Sequence, residues 1–371
     1  MDIDSLPEDH VIPLPQSNYY TIEEFNSNFK PFTVHNDNNY CNFSLLHMNV
    51  RSLQKNFENF DHFLSTLNRF SFSLIGISET WLNSTSPPLF SIDNYELLRA
   101  DRKEGRGGGV AFYIHNDLNY KIRHDIHITG VENLFIEIID EKYKNKIIGV
   151  VYRPPNNVMD TFFNELEACL EIISRENKDV YLMGDFNVDL SSPYNNSAQR
   201  IINIMSSFAL HPLINKPTRI TNSTQTIIDN IFSNVLNDIS TGIMYYDISD
   251  HLPIFMINKK NNHLFKNPSK DFVMRRKETE QNIASLKIDL SQEDWRNVYS
   301  ELDVNKSYES FIEKFLYYYN KNIPLHRSQF NKKKNKHPWI TRGIIRSIST
   351  RNRLYKLSLR HPSLDNRQKY K

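Results

Sequence analysis

The 371-residue sequence predicts an α/β fold with mixed rather than purely parallel sheets. Short apolar runs of strand length recur between residues 43 and 258, and most are closed by a small polar group. Stretches with helical spacing of large apolar residues lie between these runs. Some runs are joined by links too short to hold the crossover helix that parallel neighbours require. We therefore expect strands and helices to interleave, with part of the strand pairing antiparallel.

Polar side chains accompany the strand-like runs: four runs are followed at once by a polar residue, one carries an acid inside it, and one is preceded by an Asp-His pair. Polar groups at strand ends can meet at one edge of a sheet. The runs and their polar neighbours are, in chain order, Phe43–Met48 with Asn49, Leu74–Ser78 with Glu79, Ile147–Val151 with Tyr152, Tyr181–Gly184 with Asp185, Ile227–Phe232 with Asp229, and Leu252–Phe255 preceded by Asp250 and His251. The sequence therefore predicts a single polar cleft.

Apolar stripes predict helices that pack on these sheets, because positions three and four apart share one helix face. The stripes are Phe57, Phe60, Phe63, Leu64 and Leu67; Phe163, Leu166, Leu170 and Ile173; and Ile201, Met205 and Phe208. A further helical region is predicted over residues 278–325, with one apolar face made of Phe311, Phe315, Leu316 and Tyr319.

The most informative stretch is residues 181–187, where a glycine ends an apolar run and a carboxylate and an amide follow two residues apart. Gly184 permits a tight exit from the strand, and the spacing places Asp185 and Asn187 on one side of extended backbone. One side chain could orient a water while the other donates to an anionic oxygen. Together with the other strand ends, this pattern is typical of divalent-metal phosphoester chemistry.

Each of these residues also has a structural explanation when it is taken alone. The alternatives are a satisfied core or surface histidine for His251, a turn-capping acid for Asp229, a strand end before a Pro-Pro turn for Tyr152, and a turn residue for Asn49. The run Gly107–Gly109 indicates a bulge or a close-packed strand entry more than a phosphate cradle, because no helical pattern follows it. The order of all positions together favours catalysis.

The ordered polar positions resemble the exonuclease/endonuclease/phosphatase superfamily, which includes the abasic-site endonucleases and pancreatic-type DNases. Within it, four segments are most similar to the endonuclease domain of non-LTR (LINE-type) retrotransposons. They are Asn49–Leu53 (NVRSL), Ile77–Leu82 (ISETWL), Arg106–Ala111 (RGGGVA) and Val151–Pro155 (VYRPP). The resemblance implies a DNase-like, four-layered two-sheet α/β sandwich, and we expect a helical, basic C-terminal extension after it.

The resemblance implies a metal site and a means of activating water. Glu79 would be the principal Mg²⁺ ligand, with Asn49 and Asp250 completing the metal shell and Mn²⁺ as a substitute ion. Asp185 would position or deprotonate the attacking water.

The resemblance also implies the groups that hold the phosphate. Asn187 and Tyr152 would contact the scissile phosphate. His251, oriented by Asp229, would donate to a phosphate oxygen, because an acidic partner raises the imidazole pKa and favours the cation near neutral pH. The implied reaction is hydrolysis of one DNA strand, which leaves a 3′-hydroxyl and a 5′-phosphate.

Three arginines are predicted to contact DNA, namely Arg51, Arg106 and Arg153. Arg51 stands where many repair enzymes of the superfamily carry an acid. A cation there cannot ligate a metal and suits a DNA phosphate instead. This difference argues for strand nicking of intact DNA rather than abasic-site cleavage.

Charge is strongly segregated along the chain. Residues 326–371 contain 14 Lys or Arg and one acid, a surplus of +13, so a net charge of +2 leaves −11 on residues 1–325. The predicted divisions are a polar N-terminal arm (1–40), the nuclease domain (41–258), a linker with a helical segment (259–330) and a basic segment (331–371). Non-specific DNA attraction would come chiefly from the basic segment.

The basic segment allows several interpretations. Lys332–Lys336 fits a nuclear import signal, a nucleic-acid contact or a solvated linker. The basic amphipathic pattern after Trp339 could dock a partner domain, DNA or RNA, or an anionic membrane. In retrotransposon proteins a similar Pro-Trp-Ile segment lies just ahead of the reverse transcriptase domain, so the resemblance implies that domain as a partner in cis or in trans. The chain would then be the front portion of a polyprotein or a truncated copy.

We expect DNA as the main partner, element RNA as a further one, no membrane, and nuclear localisation after entry from the cytoplasm. Two cysteines, Cys41 and Cys169, are too few for a disulfide framework, which favours a reducing compartment. The acidic N-terminus lacks the basic-then-apolar pattern of a signal peptide.

Two other functions stay open. A phosphodiesterase or phosphatase of the same superfamily acting on inositol phosphates or sphingolipids would use the same Glu79, Asp185, Asn187 and His251. A non-catalytic nucleic-acid-binding remnant would bind DNA without metal-dependent cleavage. The basic segment and the retrotransposon-like motifs argue against the first, and the intact set of motif positions argues against the second.

Overall fold

The computed structural model describes residues 15–29, 33–35, 38–67, 70–83, 86, 90–103, 105, 107–140, 143–192, 194–221, 223–264, 272–276, 279–329, 347, 350–351, 353–355 and 357–358. The chain divides into two compact units, one formed by Met1–Phe265 with Ile340–Lys371 and the other by Lys266–Trp339. Each unit is described by itself.

Within the described part of residues 15–264, the first unit alternates strands with four helices. The strands are β1 (Asn18–Tyr20), β2 (Thr33–His35), β3 (Asn38–Asn49), β4 (Leu74–Ser78), β5 (Tyr95–Ala100), β6 (Val110–His115), β7 (Tyr120–Ile122), β8 (Glu132–Ile138), β9 (Lys146–Tyr152), β10 (Asp179–Asp185), β11 (His211–Pro212), β12 (Arg219–Ile220), β13 (Gln225–Thr226), β14 (Asp229–Ser233), β15 (Ile239–Met244) and β16 (Ile254–Leu264). The helices are α1 (Ile22–Asn28), α2 (Leu53–Ser65), α3 (Met159–Ser174) and α4 (Asn196–Ser207).

The strands form two mixed sheets, as the sequence predicts. The first sheet has the order β1-β15-β16-β3-β4-β6-β5, with β2 paired to β3, and the second has the order β11-β14-β10-β9-β8-β7. Strands β3 and β4 run parallel, as do β9 and β10, whereas β14 and β16 are antiparallel to the strands beside them. Strands β12 and β13 pair with each other in a short antiparallel hairpin.

The sheets pack face to face and helices cover their outer faces. Side chains of both sheets fill the layer between them. The two sheets approach closely at Gly76 on β4, where an added Cβ would lie 2.5 Å from the Met183 sulfur on β10. Helices α1 and α2 pack on the outside of the first sheet, and α3 and α4 on the outside of the second. The predicted four-layered α/β sandwich is confirmed.

Helices α2, α3 and α4 coincide with the three predicted apolar stripes, and the stripe residues pack into the core. Capping side chains mark two of the starts. Ser52 accepts from the amide of Lys55 at the start of α2, and Asn195 accepts from the first-turn amides of α4. The stripes therefore predict both the position and the buried face of these helices.

The N-terminal stretch does not behave as the predicted polar arm over residues 15–29. β1 pairs in parallel with β15, and the following α1 has a capping box formed by Thr21 and Glu24. Phe25 is fully buried and meets Phe70 and Phe255 edge-on. The few apolar residues of this polar stretch are enough to join it to the first sheet, because the core supplies the aromatic partners.

In the second unit, β17 (Phe272–Arg276) and β18 (Leu325–Gln329) form an antiparallel pair. The helices are α5 (Glu280–Gln292), α6 (Arg296–Ser300) and α7 (Val304–Asn322), in agreement with the helical region predicted over 278–325. On α7 the rings of Phe311, Phe315 and Tyr319 stack in succession, and Trp295 packs on Phe311. This column contains three of the four residues of the predicted apolar face, and the fourth, Leu316, is 45% exposed.

Much of the basic segment lies outside the described residues, including Lys332–Lys336, Trp339, Ile344, Ile345 and Ile348. Its described positions between 347 and 358 are helical, and the Arg351 guanidinium lies 5.9 Å above the Tyr246 ring. Among the helices that the structure describes, none has the length and apolar character that crossing a bilayer requires.

Candidate active site

Strand ends from both sheets bring the predicted residues to one edge of the sandwich. β3 and β4 run parallel and end together, so Asn49 closes one strand and Glu79 follows the other. In the second sheet, Tyr152 at the end of β9 pairs with Asp185 at the end of β10. Asp185 also pairs with Asp229, which begins the antiparallel β14. The polar strand ends that the sequence places together therefore do meet at one edge of the sandwich, which we call the cleft.

Asn49 joins the two sheets through its side chain. It is buried, and its Nδ2 donates to Glu79 Oε1 at 2.8 Å and to Asp185 Oδ2 at 2.9 Å. Its Oδ1 accepts from the Arg51 amide at 3.1 Å, while Ser249 Oγ donates to its carbonyl at 2.6 Å. One amide thus fixes two carboxylates that belong to different sheets.

Glu79 lies on backbone that is held in an uncommon conformation. Glu79 and Trp81 both have φ of 55°, in the left-handed region. The indole Nε1 of Trp81 donates to Glu79 Oε2 at 3.0 Å, and the Trp81 amide donates to the Gly108 carbonyl at 2.8 Å. A Cβ on Gly109 would lie 2.5 Å from Thr80 Oγ1. The glycine run is close-packed at the entry to β6, as the sequence indicates, and the structure adds that it supports the Glu79 loop. Trp81 is a positioning residue that the sequence did not identify.

Asp185 and Asn187 are placed by β10 and the tight loop after it. The Asn187 amide donates to Asp185 Oδ1 at 3.1 Å, and Asn187 itself has φ of 49°. Gly184 is needed for a reason other than the predicted exit from the strand, since it lies within β10. A Cβ there would lie 2.0 Å from the Val151 carbonyl oxygen on β9. Close approach of two backbones requires this glycine.

His251 and Asp229 form a buried pair. β16 starts shortly after His251 and runs antiparallel to β3, which brings the imidazole to the same edge. His251 Nδ1 lies 2.9 Å from Asp229 Oδ2, and Thr218 Oγ1 donates to that oxygen at 2.7 Å. The side chains are 6% and 1% exposed. Asp185 Oδ2 is 4.0 Å from the same ring nitrogen. We call Asp185, Asp229 and His251 the buried cluster.

The buried cluster separates the pKa values of its members. Burial alone lowers the His251 pKa, but the Asp229 charge and hydrogen bond outweigh it and raise the pKa to about 9. Burial likewise raises the Asp229 pKa, and His251 outweighs it, so the net shift is downward. For Asp185, burial and then the Asp229 charge raise the pKa to about 7. Groups with pKa values moved apart in this way suit separate acid and base roles.

Tyr152 is 6% exposed and faces two carboxylates. Burial, followed by the charges of Glu79 and Asp185, raises its pKa well above the usual value. The phenol therefore stays protonated and can donate a hydrogen bond. The Arg102 guanidinium, which forms an ion pair with Glu132, lies 5.9 Å from the centre of the Tyr152 ring.

At the rim of the cleft, Asp250 joins two arginines. Its Oδ1 accepts from Arg51 Nη1 at 2.9 Å, and its Oδ2 accepts from Arg219 Nε at 2.8 Å. Arg219 Nη2 also lies 2.8 Å from Oδ2, within an ion pair. We call Arg51, Arg219 and Asp250 the rim triad. The structure thus groups Asp250 with the arginines, whereas the sequence grouped it with Glu79 and Asn49 as a metal ligand. Arg219 was missed, because β12 is too short to leave a pattern in the sequence.

The two other arginines predicted to contact DNA have different outcomes. Arg106 lies outside the described residues. Arg153 is 2% exposed, and its guanidinium donates to the backbone carbonyls of Phe186 and Asn187 at 2.7 Å and also to those of Pro154 and Asn157. The DNA contact predicted for Arg153 is wrong, because its donors fasten the loop after β9 to the loop after β10.

His47 was also missed, although a polar residue two positions before Asn49 in an apolar strand is a usable signal. It is fully buried, and its Nε2 lies 3.3 Å from Ser78 Oγ. Burial lowers its pKa to about 4, against an opposing effect of Asp229. Among the described atoms, its Nδ1 has no hydrogen-bond partner. A neutral imidazole therefore lies in the sheet behind the buried cluster.

A divalent metal fits the oxygen-rich part of the site. The Asn49 amide brings carboxylate oxygens of Glu79 and Asp185 to either side of it, and such oxygens are the ligands that Mg²⁺ prefers. Asp185, Asp229 and His251 could also hold an ion, since one ligand atom from each lies within 4.8 Å of the others. However, His251 Nδ1 and Asp229 are already bonded to each other. Glu79 with Asn49 is the better fit for Mg²⁺.

A family model described as the endonuclease/exonuclease/phosphatase family matches residues 46–251 of the chain. The matched range includes every predicted catalytic position from Asn49 to His251. A comparison with curated proteins gives no match.

Several solved structures are similar to the chain. The endonuclease domain of TRAS1, a telomere-specific non-LTR retrotransposon, is 13% identical over 58% of this chain and 98% of that one, with a TM-score of 0.45. The catalytic domain of Xenopus laevis APE2 is 15% identical over 58% and 92%, with a TM-score of 0.46. The 3′ phosphatase NExo from Neisseria, bound to product DNA hairpin, is 13% identical over 58% and 98%, with a TM-score of 0.44.

Proposed function

The chain belongs to the endonuclease/exonuclease/phosphatase family, and on that premise we propose that it is a Mg²⁺-dependent DNA endonuclease. It would nick one strand and leave a 3′-hydroxyl end, as target-primed retrotransposition requires. Members of this family are metal-dependent phosphodiesterases and nucleases. What we propose for this chain is DNA as the substrate and a 3′-hydroxyl at the nick.

One observation supports catalysis above the others. A continuous set of hydrogen bonds links Glu79 to Asn49 and Asn49 to Asp185, and the Asp229–His251 pair lies directly beside Asp185. The set combines a carboxylate with a pKa near neutrality and a histidine that stays cationic. A site needs both groups to move a proton from water and to stabilise phosphate charge.

Asp185 would take the proton from the attacking water, because its pKa of about 7 makes it an effective base near neutral pH. His251 would donate from Nε2 to a phosphate oxygen, since Asp229 engages Nδ1 and fixes the ring orientation. The protonated phenol of Tyr152 would donate to the same phosphate. Asn187 gives one amide hydrogen to the Arg153 carbonyl at 2.8 Å, and the second would hold the scissile phosphate.

A bound Mg²⁺, held by Glu79 with Asn49 and with Asp250 as the predicted third ligand, would supply Lewis-acid stabilisation of charge on the phosphate. The residues of the chain would bind and orient the substrate around it. Asn49 would keep the Glu79 and Asp185 carboxylates in register across the two sheets.

Two features support DNA as the substrate rather than a small phosphate ester. Arg51 and Arg219 stand at the rim with side chains 54% and 38% exposed, where a polyanion can reach them. Residues 326–371, which include the basic segment, add a surplus of +13 charges. The retrotransposon-like segments of the sequence point the same way. We further propose nuclear localisation, a reverse transcriptase domain as partner in cis or in trans, and element RNA as a second ligand of the basic segment.

The test is conversion of supercoiled plasmid to open circle by the purified chain, with Mg²⁺ and with EDTA. Asp185→Ala and His251→Ala should each lower the nicking rate by roughly a thousandfold or more, because each removes a group that acts on the transition state. Extension of the nick by a polymerase without prior treatment would identify the 3′-hydroxyl end.

Matched controls are available far from the site. His211 pairs with Ser233, at the end of β14 remote from Asp229. Asp93 lies two residues before Tyr95, at the start of β5. The other end of β5, at Ala100, is the end that pairs with Val110. His211→Ala and Asp93→Ala should nick at the wild-type rate. Hydrolysis of a soluble phosphate ester without nicking would support the phosphatase alternative, and DNA binding without cleavage would support the remnant.

A further inference from the structure

The rim triad lies directly beside the catalytic residues along the chain. Arg51 follows Asn49 by two positions, Arg219 follows the Thr218 that bonds to Asp229, and Asp250 precedes His251. The backbones of Arg219 and His251 also form an isolated antiparallel bridge. Arg51 lies in the segment that carries Asn49, and Arg219 lies in a segment that is bonded to Asp229 and His251, so both guanidinium groups are held beside the catalytic residues.

The contacts of Asp250 have the form of a phosphate-binding site. Each carboxylate oxygen accepts from a different arginine, at 2.9 Å from Arg51 Nη1 and at 2.8 Å from Arg219 Nε, and Arg219 Nη2 completes the ion pair at 2.8 Å. A phosphodiester also presents two charged oxygens to guanidinium donors, and arginine forks match either group. Asp250 thus occupies the position that a backbone phosphate would take between the two arginines.

We infer that Arg51 and Arg219 form a binding site for a DNA backbone phosphate next to the scissile one, and that Asp250 competes with DNA for both arginines. This inference rests on the proposed function for its substrate. DNA binding would exchange the internal carboxylate for a phosphate. The released Asp250 carboxylate would then be available beside His251 as the metal ligand that the sequence predicts.

Exposure makes the exchange feasible. The Arg51 and Arg219 side chains are 54% and 38% exposed and that of Asp250 is 25% exposed, so water and salt screen the pairs that hold the triad together. DNA brings a row of phosphates and releases bound counterions when arginines neutralise it, an advantage that a single carboxylate lacks. The two arginines and Asp250 together carry a net charge of +1. The two arginines alone carry +2, which is the charge that DNA meets once Asp250 has moved away.

The test measures binding of a fluorescein-labelled 20-base-pair duplex by fluorescence anisotropy in EDTA, where no cleavage occurs. Asp250→Asn should bind the duplex roughly fivefold more tightly than wild type, because the competing carboxylate is gone. Arg51→Ala and Arg219→Ala should each weaken binding and reduce the salt slope by about 0.9. Asp93→Asn makes the same charge change far from the site and should have little effect.

The decisive comparison is a double-mutant cycle. If Asp250 acts through the arginines, Asp250→Asn should no longer tighten binding in the Arg51→Ala/Arg219→Ala background. An equal effect in both backgrounds, or an equal effect of Asp93→Asn, would overturn the competition and leave only a general charge effect. Arg51→Lys keeps the charge without the fork, and weaker binding by this variant would support paired recognition.

Plasmid nicking by the wild-type chain separates this inference from the proposed function. Nicking without any effect of Asp250→Asn on binding would overturn the competition and leave the endonuclease standing. Tighter binding by Asp250→Asn that depends on both arginines, without nicking by wild type, would support the phosphate site in a chain that does not cleave DNA.

Discussion

The buried cluster and the rim triad contain ion pairs of equal length in opposite surroundings. His251 Nδ1 and Asp229 Oδ2 lie 2.9 Å apart, and both side chains are at most 6% exposed. Arg51 Nη1 and Asp250 Oδ1 also lie 2.9 Å apart, with side chains 54% and 25% exposed. The two pairs stand at the same edge of the sandwich, but they differ in their cation, imidazole or guanidinium, and strongly in their exposure to water.

The comparison shows that distance alone does not set what an ion pair does. In the buried cluster the surrounding protein screens charge poorly, so each charge acts strongly on its neighbours, and the pKa values of Asp185 and His251 move to about 7 and about 9. At the rim, water screens the charges and the pair can exchange partners. The buried cluster is suited to fixed geometry and proton transfer, and the rim triad is suited to reversible contact with a polyanion.

The largest expected difference in stability comes from replacing one aspartate of the buried cluster, or one of the rim triad, by asparagine. Asp229→Asn should lower the free energy of unfolding by about 3 to 5 kcal/mol, because it leaves the buried His251 without its charge partner. Asp250→Asn should lower it by about 1 kcal/mol or less. Urea unfolding at pH 7 in EDTA measures both. Equal losses would show that burial does not distinguish the two pairs.

The second comparison uses one arginine from each environment. Arg153→Met should lower the free energy of unfolding by about 3 kcal/mol, because four backbone carbonyls lose a charged donor inside the protein. Arg51→Met should change it by about 0.5 kcal/mol or less, since its side chain is exposed. Duplex binding should respond in the opposite order, with Arg51→Met weakening it. A weaker salt slope in Arg153→Met than in Arg51→Met would restore the DNA contact that the structure argues against.

The smallest effect is a pH dependence that belongs to the buried cluster alone. The folded-state pKa of His251, about 9, lies above its ordinary value of 6.5. Between these two pH values the folded chain therefore holds a proton that the unfolded chain has released. The pair therefore contributes its full stability below pH 6.5 and loses it as pH rises towards 9. Between pH 7 and pH 8.5 the loss should be about 2 kcal/mol, at 1.36 kcal/mol per pKa unit.

Chemical unfolding of the metal-free chain across this pH range measures the slope. Asp229→Asn should lack it, because burial without the acid keeps the imidazole neutral. Asp250→Asn should retain most of it, since Asp250 makes the smallest contribution to the His251 pKa. A slope of the same size in Asp229→Asn would mean that another group titrates.

The sequence predicts much of the fold because local patterns decide it. The apolar stripes of α2, α3 and α4 and the runs that became β3, β4, β9, β10 and β14 are each visible within a few residues. The positions of Asn49, Glu79, Tyr152, Asp185 and Asp229 follow as well, because the end of a strand is a local property and neighbouring strands end together at the edge of a sheet.

The burial and the partners of the arginines could not be predicted from local patterns. Arg51 and Arg153 both follow a strand that ends at the cleft, and nothing in their flanking residues tells the exposed one from the buried one. Arg219 and Thr218 come from a segment without a clear pattern, and they reach the site only because that segment lies beside His251 and Asp229. Such contacts join residues that are far apart in the chain.

The sequence by itself determined the kinds of groups in the cleft, their order, and the strands that carry them, since hydrophobic periodicity and strand ends are local. Only the tertiary structure decided which acid keeps its charge, which arginine faces solvent, and which partner Asp250 holds. The physical reason is that charge, pKa and hydrogen bonding depend on burial and on neighbours from other strands, and the pairing and packing of two sheets set both.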